Sequence, residues 1–384
     1  MARATIECVL LLSLMLLAGC ATGPVATVPQ ELFDDHLFAS PASRIDANDV
    51  FAASPEMRRF IDSEIAGAIA AKGRQQALFD ALYARGELRL EYDSAKTRNA
   101  AEAFAARAGN CLSLVIMTAA FAKQLDLPVR YQSAYEETWN RTDDAHYFVG
   151  HVNITLGRRP GFSSKDSEAA TIDFLPALEA RALRTHEIAE VTIIAMYMNN
   201  RAAEALNEGE LDDAYAWARM AIAQDPGFVS AYNTLGVIYL RHGNLEQARR
   251  ALAFALARAP ANAHVMSNLV SVLRAQGRLA EADALRKELD QLDPHPAFAF
   301  FYEGVKAMGV RDYAAARDYF SKEVDRAPYY HELRYWLAAA YVGLGEFDEA
   351  RKQLALAIEY STTRRERDVY SAKLNRLAAH RAQP

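Results

Sequence analysis

Cys111, His151 and Asp173 are the residues of this chain whose types and spacing suit nucleophilic catalysis. A thiol attacks a carbonyl as its thiolate, so it needs a base within hydrogen-bond reach and a third group to orient that base. Gly109-Asn110 breaks a helical stretch just before Cys111, and Leu112, Val115, Ile116, Ala119 and Ala120 then follow the helical apolar spacing. Cys111 is therefore expected at the first turn of a mostly buried helix, where free N–H groups and the helix dipole favour a negative sulfur. Two histidines compete for the role of base. On a strand over 148–156, Phe148, Val152, Ile154 and Leu156 share one face and His151 points to the other with Asn153 and Thr155, whereas His146 shares the apolar parity. Asp173 projects away from Ile172 and Phe174 on its own strand. That parity brings His151 and Asp173 to one face of adjacent strands with the Cys111 helix across it, unless a bulge at Gly150 breaks the alternation. The Cys111 backbone N–H and Tyr92 are candidate oxyanion donors. There is no HExxH or paired Cys/His spacing and the histidines are scattered, so neither a metal nor a cofactor is expected.

Several elements must position these groups. Ser54-Pro55 predicts a capped helix to about residue 71, followed by helices over about 74–84 and 99–106 and a short strand over 88–92. Residues 129–135, 146–156 and 171–175 read as strands. Thr185 to Arg201 reads as helix throughout, predicting a continuous junction to the latter half of the chain.

Beyond that junction Pro226, Pro260, Pro294 and Pro328 recur every 34 residues. Ala214, Ala248, Ala282, Ala316 and Ala350 keep the same interval, as do Gly209, Gly243, Gly277 and Gly345, with Arg311 in the one broken slot. This period resembles that of tetratricopeptide repeats, stacked helix–turn–helix units. The resemblance implies five units over 195–364, with residues 365–384 forming a capping helix and tail. It also implies a concave groove, lined by the first helix of each unit, that holds a protein or peptide partner. Asn233, Val237, Leu240, Ser267, Phe301, Val305 and Met308 are the expected lining, neutral to apolar in character.

A formal charge of -6 and a pI near 5.9 give no basic stripe, so no nucleic-acid partner is expected. Residues 1–19 read as a signal peptide, with Arg3 as the positive start and Val9 to Leu17 as an apolar run too short to span a bilayer. Leu17-Ala18-Gly19-Cys20 resembles the lipobox of bacterial lipoproteins. That resemblance implies lipidation of Cys20, and Ala21 after it implies sorting to the outer membrane, facing the periplasm. Residues 20–45 read as a proline-containing tether. With Cys8 removed and Cys20 lipidated, Cys111 is the one thiol left, either inert in the core or kept for its reactivity.

Ala103 to Leu114 contains Arg107-Ala108-Gly109-Asn110-Cys111, and Leu125-Asp126-Leu127-Pro128-Val129-Arg130 follows it. Together they resemble the core of the transglutaminase-like superfamily. The order Cys111, His151, Asp173, at intervals of 40 and 22 residues, fits that family. The resemblance implies a papain-related α+β domain over 46–190, joined to an all-α repeat solenoid, with a Cys111–His151–Asp173 triad acting on peptide or amide bonds. Two departures, Val152-Asn153 after the histidine and Phe174-Leu175 after the aspartate, motivate a rival reading: a catalytically silent adaptor whose repeats do the work. A redox-sensing Cys111 is the third possibility.

Overall fold

A computed structural model describes residues 27–84, 90–94, 96–138, 149–157, 169–174, 185–361 and 363–381. The expected signal peptide, Cys20, His146, Phe148 and Leu175 lie outside them. No helix among the described residues is long and apolar enough to cross a membrane.

The front half opens with helix α1 (Pro55–Phe60), capped by Ser54 Oγ on the Met57 N–H at 3.2 Å. Wide π-type turns over Ile61–Ile65 carry it into α2 (Ala66–Lys72), and α3 (Arg74–Phe79) follows. The two-residue strand β1 (Glu91–Tyr92) leads to α4 (Ala100–Ala106), which begins with a reciprocal box between Asn99 and Glu102. Strand β2 (Ala108–Gly109) pairs in parallel with β1. Helix α5 (Cys111–Gln124) comes next and is buried from residue 111 to residue 122. A helix apolar on every side belongs in the middle of a core, and α5 packs between α4 and a sheet. The strands are β3 (Val129–Thr138), β4 (Val149–Leu156), β5 (Ala170–Ile172) and β6 (Thr185–Ile188), in the order β5-β4-β3-β6, with all neighbours antiparallel.

Strand β6 corrects the expectation of helix from Thr185. Tyr131 pairs with Ile188 and Ala134 with Thr185, so the free edge of β3 takes this segment as a strand. Ala189 alone then separates it from α6 (Glu190–Glu208). Ten helices form the following array: α6 with α7 (Leu211–Gln224), α8 (Val229–His242) with α9 (Leu245–Arg258), and α10 (Ala263–Ala275) with α11 (Leu279–Leu292). The last two pairs are α12 (Ala299–Gly309) with α13 (Tyr313–Arg326), and α14 (His331–Gly343) with α15 (Phe347–Tyr360). A final helix, α16 (Arg364–Arg381), packs on α15 through buried Tyr370 and leaves Lys373 and Arg376 exposed.

The periodic residues have distinct physical jobs. Gly209, Gly243, Gly277 and Gly345 end helices at positive φ of 74–91°, where a side chain is strained. Arg311 in the broken slot adopts the same left-handed turn at φ 60°. Gly236 and Gly304 answer a different need. A Cβ there would meet Leu252 and Phe320 at 2.5 Å, so their hydrogen lets paired helices approach.

Residues 27–45 are not a free tether. The Tyr239 hydroxyl donates to the Leu32 carbonyl at 3.0 Å and accepts from the Asp34 N–H at 2.9 Å. Phe38 stacks on Tyr215 at 4.0 Å between ring centroids. Asp213 accepts from the N–H groups of Ala42 and Ser43, and Arg250 pairs with Asp34 at 3.2 Å. The segment is a strap across α7, α8 and α9, and one hydrophobic core runs from Leu32 through α5 to Ala282.

Candidate functional site

The site is built on the start of α5. Asn110 caps the helix, its Oδ1 accepting from the Ser113 N–H at 2.9 Å and the Ser113 hydroxyl at 2.8 Å. Gly109 sits against this turn so closely that a Cβ would meet the Ser113 Cβ at 2.6 Å. The sulfur of Cys111, first residue of the helix and 2% exposed, therefore lies where first-turn N–H groups lack intrahelical partners.

His151 comes from β4 and is 1% exposed. Its Nε2 donates to Asp173, 2.9 Å from either carboxylate oxygen, and its ring lies within electrostatic reach of Cys111. With Nε2 committed to the carboxylate, Nδ1 is the nitrogen left to face the thiol. Burial pulls the imidazole pKa down. The hydrogen bond to Asp173 and the electrostatic pull of Cys111 and Asp173 outweigh that and raise it to about 9. His151 is thus set to be positively charged at neutral pH, between the Asp173 carboxylate and the Cys111 sulfur.

A break in alternation exists, but on the strand opposite the one expected to carry it. Ser133 pairs with Val152 and Glu137 with Gly150, so β3 uses residues 134–136 where β4 uses His151 alone. The bulge is in β3, and β4 keeps the alternation that aims His151 at the site. Asp173 lies just past the end of β5, where Ile154 pairs with Ile172. The structure thus brings together Cys111, His151 and Asp173, the three residues selected by type and spacing.

Asn153 was missed as a contributor. Its Nδ2 donates to Asp173 Oδ2 at 3.0 Å, so this departure from the pattern of the resembled family holds the carboxylate from a second direction. The signal was its parity with His151 on the same strand. Phe174, the other departure, packs on the Tyr83 ring at 5.7 Å, and the Tyr83 hydroxyl is hydrogen-bonded to Thr118 of α5. That contact pins the residue following Asp173. Tyr92 is partly buried in β1 and pairs with Gly109, two residues before Cys111. Among the described residues no cluster of His, Cys, Asp or Glu has the makings of a metal site.

In the array, Val237, Leu240, Val305 and Met308 are partly buried and packed against the core clusters. Asn233 is also partly buried and accepts from Asn268 Nδ2 at 2.9 Å. Phe301 does not line a groove. At 2% exposure it belongs to the core, against Phe298, Phe320 and Trp336, because a ring at that position fills the space between neighbouring helix pairs.

Comparison with known proteins bears on the array. Tetratricopeptide repeat models match residues 233–296 and 307–367. No curated protein matches the chain. Among solved structures, PilF of Pseudomonas aeruginosa is 22% identical over 48% of this chain and 91% of its own, with a TM-score of 0.28. MamA is 21% identical over 45% and 93%, with a TM-score of 0.26. YrrB, described as a TPR protein with an unusual peptide-binding site, is 20% identical over 47% and 92%, with a TM-score of 0.25. The latter half of the chain carries tetratricopeptide repeats, scaffolds suited to protein–protein interaction.

Proposed function

We propose that the front half is a transglutaminase-like cysteine hydrolase of the α+β, papain-related type, acting on peptide or amide bonds. The repeats recruit its protein substrate or a partner, and lipid on Cys20 anchors the chain to the outer membrane, facing the periplasm. The observation that carries this reading is the buried contact of His151 with both Asp173 and Cys111 at the start of α5. In the reaction, His151 already holds the proton as an imidazolium paired with the Cys111 thiolate, and that sulfur adds to the substrate carbonyl. The imidazolium then protonates the leaving amine as the C–N bond breaks, giving a thioester. Water, deprotonated by the same imidazole, adds to the thioester and releases the acid and the free thiol.

The test is a pH titration of thiolate ultraviolet absorbance, taken as the difference between the wild-type chain and Cys111→Ser. An unperturbed thiol titrates near ~8.5, and His-paired cysteines titrate well below it. A midpoint below ~7 that returns toward ~8.5 in His151→Ala is the expected result.

A second reading, the silent adaptor, draws support from the near-complete enclosure of Cys111 and His151. It requires an ordinary or elevated midpoint, unmoved by His151→Ala, and Cys111→Ala without effect on whatever the protein does.

A further inference from the structure

We infer that the first helix of the repeat array is part of the catalytic unit, because a chain of hydrogen bonds runs from partly buried residues of α6 through buried Thr97 to the cap of the Cys111 helix. Thr97 is fully buried and sits between the two halves. On the array side its backbone N–H donates to Glu204 Oε1 at 2.6 Å, and its hydroxyl oxygen accepts from Asn200 Nδ2 at 3.2 Å. Arg201 reaches the Thr97 carbonyl at 3.4 Å and pairs with Glu204 at the same distance. On the site side, Asn110 Nδ2 donates to the Thr97 hydroxyl oxygen at 2.9 Å.

That last bond decides which way the Asn110 amide faces. With Nδ2 held by Thr97, Oδ1 must point into α5, where it caps the Ser113 N–H and binds the Ser113 hydroxyl. Ser113 Oγ in turn accepts from the Arg98 N–H at 2.8 Å, so the loop carrying Thr97 is tied to the same turn twice. A flipped or unheld Asn110 would set an NH₂ group against a helix N–H and lose the cap. Cys111 is the next residue, so whatever orients the cap orients the N–H groups around its sulfur. Thr97, Asn110, Asn200 and Glu204 are positioning residues. None of them is the nucleophile or its base, and two of them belong to the array.

The inference rests on the Cys111–His151 pair acting as proposed above, and the experiment separates the two. The thiolate titration is repeated on the full chain with Thr97→Val, Thr97→Ser, Asn200→Ala and His151→Ala. Thr97→Val should raise the midpoint by about 0.5–1 pH unit, a loss of about three- to tenfold in thiolate formation. Thr97→Ser, which keeps the acceptor, should restore it. Asn200→Ala lies outside the front half and should move the midpoint the same way by a smaller amount. It also serves as the test if Thr97→Val does not fold. Wild-type midpoints in folded Thr97→Val and Asn200→Ala, alongside a large shift in His151→Ala, would overturn this inference and leave the triad standing. No shift in His151→Ala would overturn the triad reading, and this inference with it.

Discussion

Buried polar side chains serve different ends in the two halves of the molecule. In the array each answers a neighbouring backbone group. Glu323, fully enclosed, accepts from the Phe301 N–H at 2.9 Å, and Ser361 donates to the Ala357 carbonyl at 2.6 Å. In the front half Thr97, Asn110, Ser113, His151 and Asn153 bond largely to one another, or to Asp173, around one sulfur and one carboxylate. Backbone groups must be satisfied wherever they are buried, so the array's polar residues hold a fold together. A network of side chains is different, since apolar residues of similar shape would often serve stability as well. Its cost is justified by orientation, which supports the proposal that any chemistry lies in the front half.

The largest effect that would break this contrast concerns His151. Its rise from about 6.5 unfolded to about 9 folded corresponds to ~3 kcal/mol. This contribution is present in full below pH ~6.5 and lost as the pH rises through about 9. The melting difference between wild type and His151→Gln should therefore be widest near pH 6 and narrow toward pH 10. A constant difference would count against the charged pair. Next is Glu323→Ala, expected to lower stability by about 1.5–3 kcal/mol in denaturant unfolding because the Phe301 N–H loses a charged acceptor. The Cys111 titration should not respond, and a response would erase the distinction between the halves.

A smaller effect sharpens the comparison from inside the site. Asn153→Ala removes one of the bonds on Asp173 and should shift the thiolate midpoint by about 0.3–1 pH unit, leaving melting nearly unchanged. The smallest effect is at His331, which joins α14 to α16 through Tyr370 at 3.0 Å. Burial lowers its pKa, against the pull of Glu366 and Glu332. Its contribution is thus present above the unfolded value and lost as the pH falls through the lowered one. The melting difference between wild type and His331→Gln should shrink on acidification, opposite in sign to that for His151.

The array was legible because its constraints are local and repeated. Each 34-residue unit must end a helix with a left-handed turn and admit a close helix contact, and glycine is the residue that does either cheaply. Even Arg311 could be placed by the slot it occupies. The meeting of Cys111, His151 and Asp173 was legible through strand parity and the break before Cys111. Phe301 was misplaced because periodicity names a helix face but not how far a ring reaches into it. Strand β6 was missed because a short edge strand owes its form to β3, not to its own pattern. The strap and Thr97 had no local signal at all. Their partners in the array lie 103 to 219 residues away, and no window along the chain contains both ends of such a bond.

The strap also sets a mechanical geometry. Pro29, its first buried residue, is nine residues after Cys20, a reach of at most ~30 Å fully extended. A lipid at Cys20 would therefore suspend the protein by the shoulder of its first two repeats, close above the bilayer. Tension on the anchor would be carried by Phe38, Asp34 and Leu32 into α7, α8 and α9, and only afterwards into the Cys111 helix.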